Sequence, residues 1–141
     1  MEHLAYCDAK AKELSNLLSK KKSMLIRGAA GRKLPYGRVE KGEKIYLIEN
    51  NGDGLIKAMG IASKVYNSDK LTREESAELI EENQKKLQLT PSQKKRWSGK
   101  RYLCLIEFKN VVEIEPFRYK REKNMDDWII VESIEDIRLE N

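Results

Sequence analysis

The chain has 141 residues, of which 40% are hydrophobic and 36% charged, with a net charge of +5. That length supports a hydrophobic core without staples, and the apolar residues cluster in alternating runs, which excludes a disordered chain. No apolar run reaches the ~18 residues of a membrane span. The charged start does not read as a signal peptide, and Cys7 and Cys104 are too few and too far apart for a secreted disulfide scaffold, so a cytoplasmic protein is expected.

Residues 3–19 read as a helix, because Leu4, Cys7, Ala11, Leu14 and Leu18 recur at helical spacing. Lys20-Lys21-Lys22 would form its basic last turn, which suits the helix dipole. Ser23 to Arg27 reads as a strand, broken by Gly28-Ala29-Ala30-Gly31 and followed by a turn at Pro35-Tyr36-Gly37. Ile45 to Ile48 is a strand, and Asn50-Asn51-Gly52-Asp53-Gly54 is a strong hairpin signal. The return strand runs from Leu55 to Val65 with a bend at Gly60. Thr72-x-x-Glu75 is a capping box that opens a helix to about residue 88. Thr90-Pro91-Ser92-Gln93 opens a second, ending near Gly99. Tyr102 to Ile114 is a long alternating strand, Trp128 to Val131 a short one, and Ile134 to Leu139 a terminal element. Hairpin-paired strands with helices inserted between them predict an α+β fold, a small mostly antiparallel barrel. With no linker or repeat, the expected organisation is one domain over 1–141: an N-terminal helix at 1–20, then a barrel with a two-helix insertion at about 71–98.

The charge is unevenly spread. From Lys20 to Lys44 there are nine basic residues against two acidic ones, so this stretch is +7 and the remainder −2. Such a local field attracts polyanions. Gly28-Ala29-Ala30-Gly31-Arg32-Lys33 could turn backbone N–H groups toward an anion, while lacking the Ser or Thr of a Walker loop. Aromatics interleave with cations at Tyr36, at Trp97, and at Phe117 with Tyr119, the mixture that single-stranded nucleic acid uses. The expected groove comprises Lys22, Arg27, Arg32, Lys33, Tyr36 and Arg38, with Lys95, Arg96 and Trp97 as a second wall. Glu107, if it points inward, needs a partner such as Arg27. The acid pair Asp126-Asp127 reads as a solvated face or cap.

Catalytic and metal chemistry find little support. His3 is the sole histidine; with Cys7 four residues on it could offer two ligands on one helical face, short of the three a zinc site needs. Histidine-based nucleophile systems are excluded on the same ground. No cofactor is expected. The expected partner is RNA, no membrane is involved, and the chain is a monomer or a weak homodimer joined through its N-terminal apolar stripe.

The order of a basic strand, Lys41-Gly42-Glu43-Lys44-Ile45-Tyr46-Leu47, the strand pair through Gly54 to Val65, a helical segment and Arg101-Tyr102-Leu103-Cys104-Leu105-Ile106-Glu107-Phe108 resembles the PUA-like superfamily, which includes PUA, ASCH and EVE domains. The resemblance covers roughly residues 20 to 118. Of the ASCH motif G-x-K-x-x-E-x-R, Lys22 and Arg27 match, while Lys20 and Leu25 replace the glycine and the glutamate. The resemblance implies an RNA-binding module. It also implies two alternatives. One is an ASCH-like amidohydrolase acting on a modified nucleoside such as an acylated cytidine, with Lys22 as base or nucleophile, an acid at Glu74 or Glu75, and Leu25 at the threonine position. The other is an EVE-like reader of a modified DNA base, for which Tyr46, Tyr66, Trp97 or Trp128 would have to converge.

Overall fold

A computed structural model describes residues 1–121 and 126–139. Its strands are β1 (Glu2–Cys7), β2 (Met24–Ala29), β3 (Lys44–Glu49), β4 (Leu55–Asn67), β5 (Tyr102–Arg118) and β6 (Trp128–Val131). Its helices are α1 (Glu13–Leu18), α2 (Arg73–Glu82), α3 (Gln84–Leu87) and α4 (Pro91–Trp97), with a 3-10 turn at Ile134–Asp136. The strands form one sheet in the order β2-β5-β4-β3-β1-β6, antiparallel throughout except for the parallel pair β1 and β3. This α+β sheet curls into a half-barrel.

The curl has local causes. Three register shifts interrupt the β4–β5 ladder, at Ile56/Ala58, Met59/Ile61 and Ala62/Lys64. Each bulge bends the strand and increases its twist. Gly60 lies within one of them, where a Cβ would fall 2.7 Å from the Phe108 ring. The bend expected there is therefore a close approach of backbone to ring. Gly28 works similarly: β2 runs through it, because a Cβ would meet Leu103 Cδ2 at 2.6 Å. The glycine permits packing and does not break the strand.

Register divides the sheet into two faces. Leu25 and Arg27 stand opposite Ile106 and Cys104, while Met24, Ile26 and Gly28 stand opposite Glu107, Leu105 and Leu103. The first set faces the concave core with Leu14, Leu17, Leu47 and Trp128. The second packs on the convex side against Ile80, Leu87, Leu89 and Trp97 of the helical segment. Arg27 and Glu107 therefore sit on opposite faces and cannot pair, contrary to expectation. Glu107 bonds instead to Lys86, at 2.9 Å.

The N-terminal helix is also corrected. Residues 2–7 are a strand flanked by β3 and β6, and only Glu13–Leu18 is helical. A strand buried on both faces has no polar side to betray its period, so Leu4 and Cys7 fall by coincidence into helical spacing with Leu14. Asp8 makes the turn between the two, its Oδ1 accepting from the Ala11 N–H at 3.0 Å. The helix ends before Lys20, whose φ of 67° is left-handed. Leu4, Cys7 and Leu14 are core residues, which leaves the half-buried Ala11 and Leu18 as the part of the stripe near the surface. The insertion holds three short helices, because the first stops at Asn83, whose Nδ2 donates to the Leu79 carbonyl at 2.9 Å. The capping box at Thr72 forms as expected, and the helix start at Thr90 carries one too.

His3 is fully buried in β1 rather than lying at a loose start. The Trp128 indole N–H donates to its Nδ1 at 3.1 Å, so Nε2 carries the proton and donates to Glu43 at 2.9 Å. Neither nitrogen is free to join Cys7 as a metal ligand. Burial holds His3 below its usual 6.5. Burial pushes Glu43 up, but bonds from the Glu40 N–H, His3 and the Met1 amine together bring it down to about 2. Both shifts mean that the unfolded chain takes up protons first as pH falls, so acid destabilises the fold. The unfolding midpoint should start to drop below about pH 6.5 as His3 is forced to charge, and drop further from about 4.5 toward 2 as Glu43 protonates. Thermal melts across this range check it: His3→Gln should flatten the first part of the fall and spare the second.

Candidate nucleic-acid interface

The half-barrel leaves two edge strands, β2 and β6. Arg27 lies where these edges approach each other. Its Nη1 donates to the Ile26 carbonyl at 2.8 Å and its Nη2 to the Tyr6 carbonyl of β1 at 2.6 Å. Its guanidinium lies 6.0 Å from the Trp97 ring and 5.7 Å from the Trp128 ring, within cation–π range. Only 7% of the residue is exposed. Nε is buried without a hydrogen bond, although Asp127 Oδ2 lies 3.2 Å away. The ion pair is thus in contact without an aligned N–H bond. One guanidinium fills the seam of the sheet and keeps a donor in reserve.

A two-lobed cleft opens over this point. Both lobes share Arg27, Arg96, Trp97 and Asp127. The inner lobe, about 240 Å³, is lined also by Tyr6, Cys7, Glu13, Asn50 and Gln93. The outer lobe, about 310 Å³, adds Gly28, Lys33, Leu34, Lys100 and Asp126. The outer lobe therefore gathers four cations against two carboxylates.

Local structure fixes the walls. Thr90 and Gln93 cap α4 reciprocally, and Pro91 occupies its first turn. Gln93 Nε2 donates to Glu13 Oε2 at 3.0 Å and so ties α4 to α1. At the other end the Gly99 N–H donates to Ser76 Oγ at 3.0 Å, which holds the chain between Trp97 and Lys100 against α2. Arg96 lies flat over the Trp97 ring at 4.3 Å.

Of the residues expected in the groove, the structure brings together Arg27, Lys33, Arg96 and Trp97. Arg32 and Lys95 are exposed, and Arg32 stacks 5.6 Å from the Tyr102 ring beside Lys33. Tyr36 is a strut: its hydroxyl donates to the Ser68 carbonyl, and its ring meets Tyr102 edge-on at 5.6 Å. Arg38 is exposed and lies in the field of His3, away from the cleft lining. Lys22 is a correction. It is 2% exposed, donates to the Leu87 carbonyl, and lies 3.6 Å from Glu13 Oε2. Burial lowers its pKa, against the pull of Glu13. It stands behind Glu13 and lines neither lobe. Glu74 and Glu75 are exposed on the first turn of α2, and Glu75 serves the capping box.

Phe117 and Tyr119 are core residues, so the third aromatic–cation cluster is structural. Tyr46 packs edge-on against Phe117, and Tyr66 is 51% exposed on another surface. Of the four candidates for an aromatic pocket, only Trp97 and Trp128 converge. Sequence reading missed Glu13 and Asp127. A buried carboxylate on a six-residue helix has no local signal. Asp127 would have been found only by asking which acid the concave face offers to Arg27.

A larger hollow lies elsewhere. It measures about 890 Å³ between the convex sheet face and α2, with Tyr66 and Leu79 on its walls. Lys41, Lys64 and Lys86 line it with Glu40, Glu82 and Glu107 in equal number, so its lining has no excess of positive charge to draw a polyanion.

No helix among the described residues is long and apolar enough to cross a membrane. No family profile matches the chain, and no curated protein matches it in sequence. Among solved structures it is similar to the ASCH protein of Zymomonas mobilis, with a TM-score of 0.63 and 13% identity, covering 83% of this chain and 73% of that one. Two single-substitution variants of that protein match with the same TM-score, at 13% and 11% identity, over 75% and 73% of their length. At that identity the likeness concerns the fold alone: the chain shares a curled α+β architecture with that ASCH protein.

Proposed function

We propose that the chain is a PUA-like module that binds single-stranded RNA in the seam cleft. The observation that carries this reading is Arg27, a buried guanidinium between two tryptophan rings whose Nε has no hydrogen bond. Lys33, Arg96 and Lys100 supply phosphate contacts around it, and the Arg96–Trp97 stack offers a flat surface to a base. Arg32 and its neighbouring Tyr102 extend the track along the rim.

The test is retention of small cellular RNAs at two salt concentrations, beside matched single- and double-stranded DNA. Binding should favour RNA and weaken steeply with salt. Arg32→Glu with Lys33→Glu should cut affinity at least tenfold and lower the log–log salt slope by about one for each cation removed from a phosphate. Both side chains are exposed, so the melting temperature should hold. Unchanged affinity would remove the basic loop from the site, and a preference for DNA would favour the modified-base reader.

The buried Lys22–Glu13 pair favours a second reading, an amidohydrolase on a modified nucleoside, because a desolvated lysine is easier to neutralise. Weighing against it, Leu25 at the nucleophile position is a core residue, and burial raises the Cys7 thiol far from the thiolate range. Incubation with acylated nucleosides decides it: release of acid that Lys22→Met abolishes would establish the activity.

A further inference from the structure

The cleft already contains an anion. Asp127 Oδ2 lies 3.2 Å from Arg27 Nε and 3.9 Å from Arg96 Nη2, so one carboxylate oxygen sits between two guanidinium groups. Neither approach is tight. The Arg27 Nε–H makes no hydrogen bond despite that distance, and the Arg96 separation is beyond hydrogen-bonding range. One N–H on Nη1 and one on Nη2 bind backbone carbonyls, and Nε is the guanidinium nitrogen left without a hydrogen bond.

Asp127 is held by its backbone and loosely by its side chain. The Tyr6 N–H donates to the Asp127 carbonyl at 2.9 Å, which fixes the residue beside β1. Its side chain is 43% exposed, against 9% for that of Arg27. A change of rotamer would carry the carboxylate to solvent without moving the chain, and it would leave two guanidinium groups facing one vacated position. A phosphate oxygen there meets the same two guanidinium charges, and an aligned, charge-assisted hydrogen bond from the Arg27 Nε–H takes the place of the unaligned ion pair.

We propose that Asp127 is a built-in competitor for the phosphate of the ligand, and that binding displaces it from the Arg27–Arg96 pair. The proposal rests on the reading that this cleft takes a phosphate. Asp127 then sets the affinity threshold. In the empty protein it screens a buried arginine, and a weakly held or singly charged anion cannot evict it. A polyanion that also engages Lys33 and Lys100 can.

The experiment compares wild type, Asp127→Asn and Asp126→Asn, using a short fluorescein-labelled single-stranded RNA at one salt concentration. The two variants change net charge equally and both positions line the outer lobe, but Asp127 supplies the oxygen between the guanidinium groups. Asp127→Asn should bind roughly tenfold tighter, and Asp126→Asn no more than about twofold tighter. Unfolding midpoints near that of wild type keep the comparison one of binding. Equal gains in the two variants would reduce the effect to overall charge and overturn the proposal. Weaker binding by Asp127→Asn would overturn it too and make Asp127 a positioning residue for Arg27. A second arm uses tripolyphosphate and reads thermal stabilisation. If no form binds RNA but tripolyphosphate stabilises Asp127→Asn more than wild type, the competitor role survives and the RNA reading falls. If nothing binds either probe, both fall.

Discussion

Arg27→Met should lower affinity for single-stranded RNA about a hundredfold while leaving a folded chain. The binding loss is large because Arg27 is the charge at the floor of both lobes and carries the one buried side-chain polar atom without a hydrogen bond among the described residues. Stability should fall as well. Two hydrogen bonds from a charged donor disappear, to the Ile26 and Tyr6 carbonyls, and each is worth about 1.5–3 kcal/mol. The Asp127 carboxylate left behind is partly exposed and can turn to water. Arg27→Lys should fall between, since an ammonium keeps the charge but cannot reach both carbonyls and still present a donor. Fluorescence anisotropy with a labelled RNA, alongside thermal melts, separates the two effects. Affinity for Arg27→Met within threefold of wild type would take the seam out of the site.

The second large effect belongs to the pair behind the cleft. Glu13→Ala leaves the Lys22 ammonium in a site that is 2% exposed, with only the Leu87 carbonyl as acceptor. Removing one partner of a buried ion pair costs about 3–5 kcal/mol. Gln93 loses its partner at the same time, so α4 loosens from α1. The double variant Glu13→Gln with Lys22→Met removes both charges and keeps an amide for Gln93, and it should recover most of the loss. The pH dependence has a definite sign. The folded pKa of Lys22 lies below its ordinary value, so the unfolded chain binds the proton more tightly and stability rises with pH toward the lysine range. The rise should be steeper in Glu13→Ala. Chemical denaturation at several pH values measures it; a Glu13→Ala protein as stable as wild type would mean that the pair contributes nothing.

Elements whose signals are local were legible in the sequence. The hairpin at Asn50–Gly54, the capping box at Thr72, the helix start at Thr90–Gln93 with its Pro91 and the bend at Gly60 were read correctly, because each rests on a turn or cap that neighbouring residues specify. β1 was not, because a strand covered on both faces shows no alternation. Exposed basic residues are easy to read as surface charge: Lys33 and Arg96 both line the outer lobe of the cleft. Lys22 was misread for the same reason. Its charge counts toward the local field in sequence, yet its partner Glu13 lies across a turn on α1 and takes it out of solution. Arg27 lines the cleft but was given the wrong partner. Strand parity puts it on the face of Cys104 and Ile106, so Glu107 could not reach it. Once the sheet curls, its acid comes from the far edge, 100 residues along the chain, and only the closed seam makes that pairing visible.

The most direct test of the seam as the binding site uses the two tryptophans of the chain. Their indole N–H signals report on opposite sides of Arg27, with Trp97 on the cleft wall and Trp128 locked by its bond to His3. In a ¹⁵N-labelled sample titrated with single-stranded RNA, the Trp97 indole should shift progressively and return when salt is added, while the Trp128 indole moves much less. An unmoved Trp97 signal, with changes confined to amides around Tyr66 and Lys86, would place the RNA on the convex groove and contradict binding at the seam.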